Sequence, residues 1–249
     1  MDAEKFHEHY QLQAEWLAPS RHYLYRKAEL ARRERILDLG CGSGIIGEEI
    51  RQITGRPVLG VDRDPRLLDL AREKFPANAY LAADESGVLR AGLRFDLVVL
   101  SFVLMWQARP LLFLKKAGRL LRPGGMLLVL AEPDYGGRID FPSRLDFLRD
   151  IFIGHVRQAG GDPFIGRRLA SLLRHAGFQA TVELASCLNF PCGYADAAWE
   201  REWKFWRELA GFSAGTLKRI LRLERSAAAR RERLVLFPVF CALASPPAP

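Results

Sequence analysis

Short apolar segments alternate with helical segments along most of the chain, and this alternation limits the folds that the sequence can adopt. Seven segments have the length and apolar composition of strands: RILDLG (35–40), PVLGVD (57–62), NAYLAAD (78–84), FDLVVLS (95–101), MLLVLAE (126–132), QATVELAS (179–186) and RLVLFPVFCALA (233–244). Strands that alternate with helices form a mainly parallel sheet that is covered by helices on both faces. The sequence therefore predicts an α/β protein.

Two segments interrupt the alternation. Residues 133–162 follow the fifth strand and residues 187–232 separate the last two strands, and both are too long to be simple loops. We predict one domain over residues 1–249, with residues 1–34 as a helical cover and residues 35–132 as the cofactor-binding half. The two interrupting segments are then inserts near the substrate site.

The first strand leads into a glycine-rich loop before a helix. The stretch ILDLGCGSGIIGEEI (36–50) contains a G-x-G-x-x-G sequence from Gly42 to Gly47, and it overlaps an acidic residue followed by alternating glycines, Asp38 to Gly44. Such glycines permit a tight turn and close approach of a ligand to the backbone. Because glycine after a strand is common, G-x-G-x-x-G alone is weak evidence for a dinucleotide. Asp62 nevertheless stands where a dinucleotide ribose would be bound.

The charges at the strand ends bear on the choice of cofactor. Three successive strands end in Asp38, Asp62 and Asp84. The carboxyl ends of parallel strands form the ligand crevice of such a sheet, so we expect this crevice to be acidic. An acidic crevice opposes a pyrophosphate and suits S-adenosylmethionine, which carries a sulfonium and an ammonium group. We assign Asp62 to the ribose, Asp84 to the adenine amino group and Asp38 to the methionine end.

The chain resembles the class I S-adenosylmethionine-dependent methyltransferases over about residues 35–134. The resemblance lies in the order and spacing of LDLGCGSG, GVDRDPRLLDLAREKF, LAADE, FDLVVLSFVLMW and LRPGGMLLVLAEPD. It implies a Rossmann-like sheet of seven strands in the order 3-2-1-4-5-7-6, with strand 7 antiparallel and helices on both faces. It also implies an enzyme that transfers a methyl group by in-line displacement.

The resemblance further implies which residues contact the cofactor. They fall into groups by the part of the cofactor that each would contact. Gly40, Cys41 and Gly42 would line the methionine moiety, and Ser101 and Phe102 would lie below the sulfur. Asp62 and Arg63 would flank the ribose and adenine, and Asp84 and Glu85 would meet the adenine edge. In related methyltransferases an aromatic amino-terminal segment folds over the cofactor, and Arg21 of that segment would pair with the methionine carboxylate.

The acceptor side carries weaker signals, because methyl transfer from a sulfonium depends mainly on alignment and exclusion of water. Asp134 and Tyr135, in the polar segment AEPDYGGRIDFP (131–142), are candidates for orienting the substrate or removing a proton. His155 is a further candidate base, on a predicted helix whose apolar stripe is Leu145, Leu148, Phe152 and Val156. The chain lacks the [DNS]-P-P-[YFW] motif of enzymes that methylate base amino groups. We therefore predict a small or medium organic acceptor, methylated at O, N, S or C.

The basic composition leaves alternatives open. The net charge is +8, and residues 200–233 hold ten Lys and Arg against five Asp and Glu. Lys218, Arg222 and Arg225 share a helix face there, which we interpret as solvated, although an RNA methyltransferase using this insert is an alternative. An NAD(P)-dependent oxidoreductase is the alternative from another class.

Other features predict what the protein lacks. The cysteines form no C-x-x-C pair and no histidine cluster completes a metal site, so we predict no metal. No apolar run could span a bilayer and no signal peptide is visible, so we expect a cytoplasmic protein without a membrane partner.

We expect His7 and His9 in a solvated first turn, and Trp199, Trp203 and Trp206 as a packed helical stripe.

Overall fold

A seven-stranded sheet forms the centre of the computed structural model, which describes residues 2–187, Trp203, Phe205 and 213–246. The strands of the protein are β1 (Ile36–Leu39), β2 (Leu59–Asp62), β3 (Ala79–Ala82), β4 (Phe95–Ser101), β5 (Leu121–Pro133), β6 (Ile139–Phe141), β7 (Gln179–Cys187), β8 (Leu234–Leu236) and β9 (Pro238–Ser245). The central sheet has the order β3-β2-β1-β4-β5-β9-β7, with β1 to β5 parallel and β9 antiparallel to both neighbours. Numbered within this sheet alone, the order is 3-2-1-4-5-7-6, so the predicted fold is confirmed.

Helices cover the two faces of the sheet. They are α1 (Ala3–Lys27), α2 (Ile45–Thr54), α3 (Pro65–Lys74), α4 (Glu85–Arg90), α5 (Pro110–Arg119), α6 (Phe147–Gln158), α7 (Ile165–His175) and α8 (Ala214–Ala229). Local chemistry sets several of the helix starts. At α3, the Asp64 side chain accepts a hydrogen bond from the Arg66 N–H, and Pro65 occupies the first turn, where its missing N–H costs nothing.

The alternation of side chains along each strand builds two cores. Along β4, Val98 and Leu100 belong to one buried cluster, whereas Leu97 and Val99 belong to the other. Helices α5, α6 and α7 pack on the first face, and α1 and α2 pack on the second. Because both faces are covered there, the central strands β4 and β5 are largely apolar and buried.

The last predicted strand, 233–244, is wrong as a single element. The structure divides it into β8, which pairs with β6 in a separate two-stranded sheet, and β9, which begins at Pro238 in the central sheet. Proline has no N–H for a ladder and a fixed φ, so it can begin a strand but rarely continues one. Pro238 therefore marks the boundary between two sheets.

The two inserts are helical in part. In the first, β6 precedes α6; the predicted apolar stripe is buried at Leu148, Phe152 and Val156 of α6 and at Leu145, which lies in the turn before the helix. In the second, Trp203 is buried as predicted, whereas Trp199 and Trp206 lie outside the described residues.

The predicted solvation of His7 and His9 is wrong. Both side chains are buried, because the first turns of α1 pack over the glycine loop.

Among the described residues, no helix combines the length and hydropathy needed to cross a bilayer. The same residues contain no group of three or more side chains suited to a metal ion.

Candidate active site

A cavity of about 450 Å³ lies at the carboxyl ends of β1 to β5. Its size is in the range of small-molecule sites. All of the residues predicted to contact the cofactor line this cavity: Arg21, Asp38, Gly40, Cys41, Gly42, Asp62, Arg63, Asp84, Glu85, Ser101 and Phe102. The fold thus brings together residues from α1 and from the ends of four strands.

The glycine loop is fixed by the neighbouring strand. The N–H groups of Gly40 and Cys41 both donate to the Val61 carbonyl oxygen, at 2.7 and 3.0 Å. Gly42 has a φ of +52°, and a Cβ there would lie 2.9 Å from the Tyr10 ring. Only glycine combines this conformation with so close an approach of α1. The loop therefore leaves room for a ligand while α1 covers it.

Asp62 is held by the backbone on both sides. One carboxylate oxygen accepts a hydrogen bond from the Gly42 N–H at 2.9 Å, and the other accepts one from the Asp64 N–H at 3.0 Å. A carboxylate has about four acceptor positions, so two remain after these bonds. Asp62 can therefore hold the loop and accept two ligand hydroxyl groups at once.

Asp38 is the buried acid of the cavity. Only 1% of its surface is exposed, and its Oδ2 atom has no hydrogen-bond partner in the described part of the protein. Burial, and then the charge of Asp62, raise the pKa of Asp38 to about 7. A buried carboxylate oxygen without a partner is unfavourable even though a hydrogen bond from the Gly47 backbone favours the charged form of Asp38, and a ligand cation would relieve it.

Asp84, Glu85 and Arg21 have protein partners on this side of the cavity. Asp84 caps α4 by accepting a hydrogen bond from the Gly87 N–H at 2.8 Å, and Glu85 pairs with Lys116 at 2.9 Å. Arg21 donates to Glu49 at 2.8 Å and to the Ala14 carbonyl oxygen at 2.8 Å. These side chains are thus placed before any ligand binds. Arg21 in particular is already neutralised by a carboxylate.

Glu132 fixes the floor of the cavity, and sequence reasoning missed it. Its buried carboxylate accepts hydrogen bonds from the N–H groups of Val103, Leu104 and Met105, at 3.0, 2.8 and 3.2 Å. Burial raises the pKa of Glu132 to about 8, although these donors favour the charged form. The bonds hold the segment after Phe102, which has a φ of +54°. The available signal was a carboxylate at the end of an otherwise apolar strand.

The three predicted catalytic residues separate in the structure. Tyr135 lines the cavity and packs against Phe152 and Phe237, with ring centroids 5.8 and 4.8 Å away. Asp134 is absent from the lining; it pairs with Arg167 at 2.7 Å and accepts from the Gly136 N–H. His155 is likewise absent from the lining, and burial lowers its pKa. Of the three, only Tyr135 can contact a ligand in the cavity as it stands.

Aromatic side chains of α1 and the second insert close the cavity; the resemblance predicted an aromatic amino-terminal cover, but sequence reasoning did not identify Phe6, His9 or Phe205. The His9 and Phe205 rings stack in parallel, 3.6 Å apart, and Phe6 meets Phe205 edge-on at 5.8 Å. The His7 Nδ1 atom and the Ser43 hydroxyl of the glycine loop share a hydrogen bond of 2.8 Å. The regular spacing of lining residues on α1 could have been detected, but the partner Phe205 could not.

Charge is distributed unevenly around the cavity. All of the lining carboxylates, Asp38, Asp62, Asp84 and Glu85, lie at the ends of β1 to β3. On the β4 and β5 side, the lining residues include Met105, Trp106, Leu130, Ala131 and Tyr135, and none of the described lining residues there is charged. One side can thus bind a polar, partly cationic ligand, and the other an apolar one.

The sequence matches known proteins along most of its length. The methyltransferase domain family matches residues 7–183. Ubiquinone biosynthesis O-methyltransferase of Cereibacter sphaeroides is 34% identical over 98 residues, which cover 38% of this chain and 39% of that protein. This match thus spans well under half the length of either protein.

Two further proteins match over longer stretches. Demethylmenaquinone methyltransferase of Tropheryma whipplei is 28% identical over 191 residues, covering 76% of this chain and 74% of that protein. Among solved structures, the cyclopropane synthase of Mycobacterium tuberculosis superposes with a TM-score of 0.54 at 16% identity. That match covers 89% of this chain and 83% of the synthase, and it supports the fold.

Proposed function

Because the chain belongs to the class I S-adenosylmethionine-dependent methyltransferases, we propose that it transfers the methyl group to a small, uncharged organic acceptor. The observation that carries this proposal is the division of one cavity into an acidic side and an apolar side. The family decides the cofactor in favour of S-adenosylmethionine, so the NAD(P)-dependent alternative is wrong.

The residues on the acidic side fit this cofactor. Asp38 has a buried oxygen without a partner in the described part of the chain, which an ammonium group would satisfy. Asp62 keeps two acceptor positions for a ribose diol, and Asp84 and Glu85 stand next to it on the adenine side. Gly40, Cys41 and Gly42 would line the methionine moiety, with Arg63 at the adenine and Ser101 and Phe102 below the sulfur.

Arg21 has protein partners that any contact with the cofactor must share. Its guanidinium donates to Glu49 and to the Ala14 carbonyl oxygen. We propose that it contributes to the methionine end by fixing α1 above the glycine loop, with any contact to the methionine carboxylate made in addition to the Glu49 pair.

The chain itself supplies position and exclusion of water. The bound cofactor supplies an activated methyl group, so no strong nucleophile is required from the protein. Phe102 and the segment held by Glu132 form the floor, and His9 with Phe205 forms the roof. Tyr135 is a polar group on the acceptor side that we propose orients the acceptor. Asp134, through its pair with Arg167, would then hold the turn that carries Tyr135, and His155 would pack behind it.

The apolar side of the cavity suits an aromatic acceptor best. Tyr135 and Phe205 line the cavity, and flat apolar rings pack well against such side chains. The two relatives are named for ubiquinone biosynthesis and for demethylmenaquinone, which agrees with a quinone-like or phenolic acceptor. RNA, the alternative acceptor, carries a phosphate charge that finds no cation among the described lining residues on the β4 and β5 side of the cavity.

Titration calorimetry and an acceptor screen test the proposal. We expect saturable binding of S-adenosylhomocysteine and none of NADH, and methyl transfer from labelled S-adenosylmethionine to phenolic or quinol compounds but not to total RNA. Tyr135→Phe should reduce kcat/KM for the acceptor without weakening S-adenosylhomocysteine binding. Tyr23→Phe, at an exposed tyrosine on α1, is the matched control. Labelling of RNA alone would overturn the proposed acceptor.

A further inference from the structure

We propose that the outer face of the two-stranded sheet formed by β6 and β8, here called the ribbon, docks on the surface of an anionic lipid bilayer. The ribbon pairs Ile139 with Leu236 and Phe141 with Leu234 in antiparallel register. Residues directly opposite each other share a face, so these four apolar side chains form one patch. Ile139 is 53% exposed, Phe141 52% and Leu234 37%.

The inner face of the ribbon fixes this orientation. Asp140 and Val235, the middle residues, are buried. Asp140 accepts hydrogen bonds from Arg138 at 2.7 Å and from Arg233 at 2.7 Å, and Arg233 also donates to Glu224 of α8 at 2.9 Å. Shifting either strand by one residue would expose this buried ionic network and bury the apolar patch. The protein therefore holds three exposed apolar side chains outward at a defined place, with the half-buried Leu236 beside them, which marks an interaction site.

Cationic side chains stand next to the patch in sequence and in space. Arg144 follows β6, and Arg230 and Arg231 precede β8; all three are exposed. Arg144 and Arg230 both contact Glu232, at 3.0 and 3.5 Å, so these side chains stand together at the end of the ribbon where β6 ends and β8 begins.

The wider surface is also basic. Among the described residues, exposed cations continue along α8 at Lys218, Arg219, Arg222 and Arg225, and the acids near the ribbon in sequence that reach the surface are Asp146, Asp150 and the half-buried Glu232. In the described segments that flank the ribbon in sequence, exposed cations thus outnumber exposed acids. The chain segment that includes α8 has a large excess of positive charge, and the described residues of α8 do not line the cofactor cavity.

An apolar patch beside arginines matches the chemistry of an anionic bilayer surface. Apolar side chains enter the boundary between headgroups and acyl chains, and arginines bind the phosphates. RNA would use the arginines and could stack on Phe141, but it would gain little from Ile139, Leu234 and Leu236, which offer no stacking surface. A stable dimer requires a buried interface of about 1,000 Å² or more, which four side chains do not provide.

The ribbon also adjoins the acceptor side of the cavity. The Arg138 guanidinium lies 4.4 Å from the centre of the Phe152 ring, which packs on Tyr135. Phe237, directly after β8, lies 4.8 Å from the Tyr135 ring. Docking would therefore bring the apolar wall of the cavity close to the bilayer. The docking itself does not depend on the acceptor proposed above, and it departs from the expectation, drawn from the sequence, of a protein without a membrane partner.

Flotation with vesicles tests the proposal on the full chain. We expect the protein to float with vesicles of phosphatidylcholine and phosphatidylglycerol, and much less with phosphatidylcholine alone. The double variant Ile139→Ser, Phe141→Ser should lower the partition coefficient about tenfold. The matched control is Ile53→Ser, Leu112→Ser, at residues that are 44% and 43% exposed elsewhere on the surface. Arg144→Ala, Arg231→Ala should weaken binding to the anionic vesicles by about tenfold and leave the neutral ones unchanged.

Binding of S-adenosylhomocysteine by each variant serves as the test of folding and also separates the two proposals. A protein that binds S-adenosylhomocysteine but not the anionic vesicles would overturn the docking surface alone. Flotation of the serine double variant at the wild-type level would overturn it as well. Sedimentation equilibrium showing a dimer that the double variant abolishes would assign the patch to a second copy instead. Binding to poly(U) with no vesicle binding would assign the basic region to RNA.

Discussion

The two sides of the cavity are built by different means. On the cofactor side, consecutive strand ends and a glycine loop place the ligand groups, and backbone N–H groups hold Asp62 in position. On the acceptor side, Tyr135 of the first insert packs against Phe152 and Phe237, and the roof is formed where Phe205 of the second insert meets Phe6 and His9 of α1.

This difference explains how one fold can keep a cofactor and change its acceptor. A backbone-built site tolerates few changes, whereas a wall of packed side chains from separate segments can be altered piece by piece. Glu132 lies between the two sides, since it stands near the end of β5 and holds the segment that follows β4. Substitutions at four positions should affect the two sides to different degrees.

The largest effect is expected at the junction of the two sides. Glu132→Ala leaves three backbone N–H groups buried without an acceptor, so we expect the free energy of unfolding to fall by about 3–5 kcal/mol. Urea denaturation measures this loss. Glu73→Ala, at an exposed glutamate of α3, should change stability by less than about 0.5 kcal/mol. Equal losses in the free energy of unfolding for Glu132→Ala and Glu73→Ala would show that the Glu132 carboxylate does not stabilise the segment between the two sides.

The cofactor side should be sensitive to a single carboxylate. Asp62→Ala removes the acceptor for Gly42 and Asp64 and the proposed ribose contact, so we expect S-adenosylhomocysteine to bind about 10–100-fold more weakly. Calorimetric titration gives the dissociation constant. Asp69→Ala on the exposed face of α3 is the matched control. Unchanged affinity in Asp62→Ala would remove this residue from the cofactor site.

Affinity on the same side should depend on pH through Asp38. Its pKa is about 7, and a ligand ammonium favours the ionised form. We therefore expect S-adenosylhomocysteine to bind about tenfold more weakly at pH 6 than at pH 8, because binding at pH 6 must first release a proton. Asp38→Asn should bind weakly at both pH values. A wild-type affinity that does not change with pH would separate Asp38 from the ligand.

The raised pKa of Asp38 makes the protein without ligand less stable as the pH rises, whereas the same rise in pH makes ligand binding stronger. The pKa in the folded state is raised above its ordinary value of 3.8, so the folded state holds the proton more tightly than the unfolded state. The contribution of Asp38 to stability is therefore greatest below pH 3.8 and is lost as the pH rises to about 7. Asp38→Asn should reduce this dependence in urea denaturation between those values.

The smallest effect is expected where the roof meets the glycine loop. His7→Ala removes one buried hydrogen bond to Ser43, worth about 1 kcal/mol, so we expect S-adenosylhomocysteine to dissociate about fivefold faster. Stopped-flow displacement measures this rate. Glu8→Ala, one residue further on the exposed face of α1, should leave it unchanged. A larger loss of S-adenosylhomocysteine affinity in His7→Ala than in Asp62→Ala would show that the roof contributes more to binding than the Asp62 carboxylate.

The amino-acid sequence alone was enough to define most of the central sheet and the residues that line its ligand edge. Strand runs, the glycine loop and Asp38, Asp62 and Asp84 are local signals, and in a parallel sheet the end of each strand reaches the same edge. The strand order followed from the resemblance to a family, since pairing between distant strands leaves no local mark. Pro238 was visible, yet its division of one run between two sheets depended on the partner β6.

Contacts on the acceptor side were settled only by the packing of separate segments. Asp134, Tyr135 and His155 are all polar and lie in the same insert, but only Tyr135 lines the cavity, because Arg167 engages Asp134 and the core around α6 encloses His155. His9 meets Phe205 across most of the length of the chain. Such contacts depend on how whole helices pack, and packing energy is shared among many residues that no short motif contains.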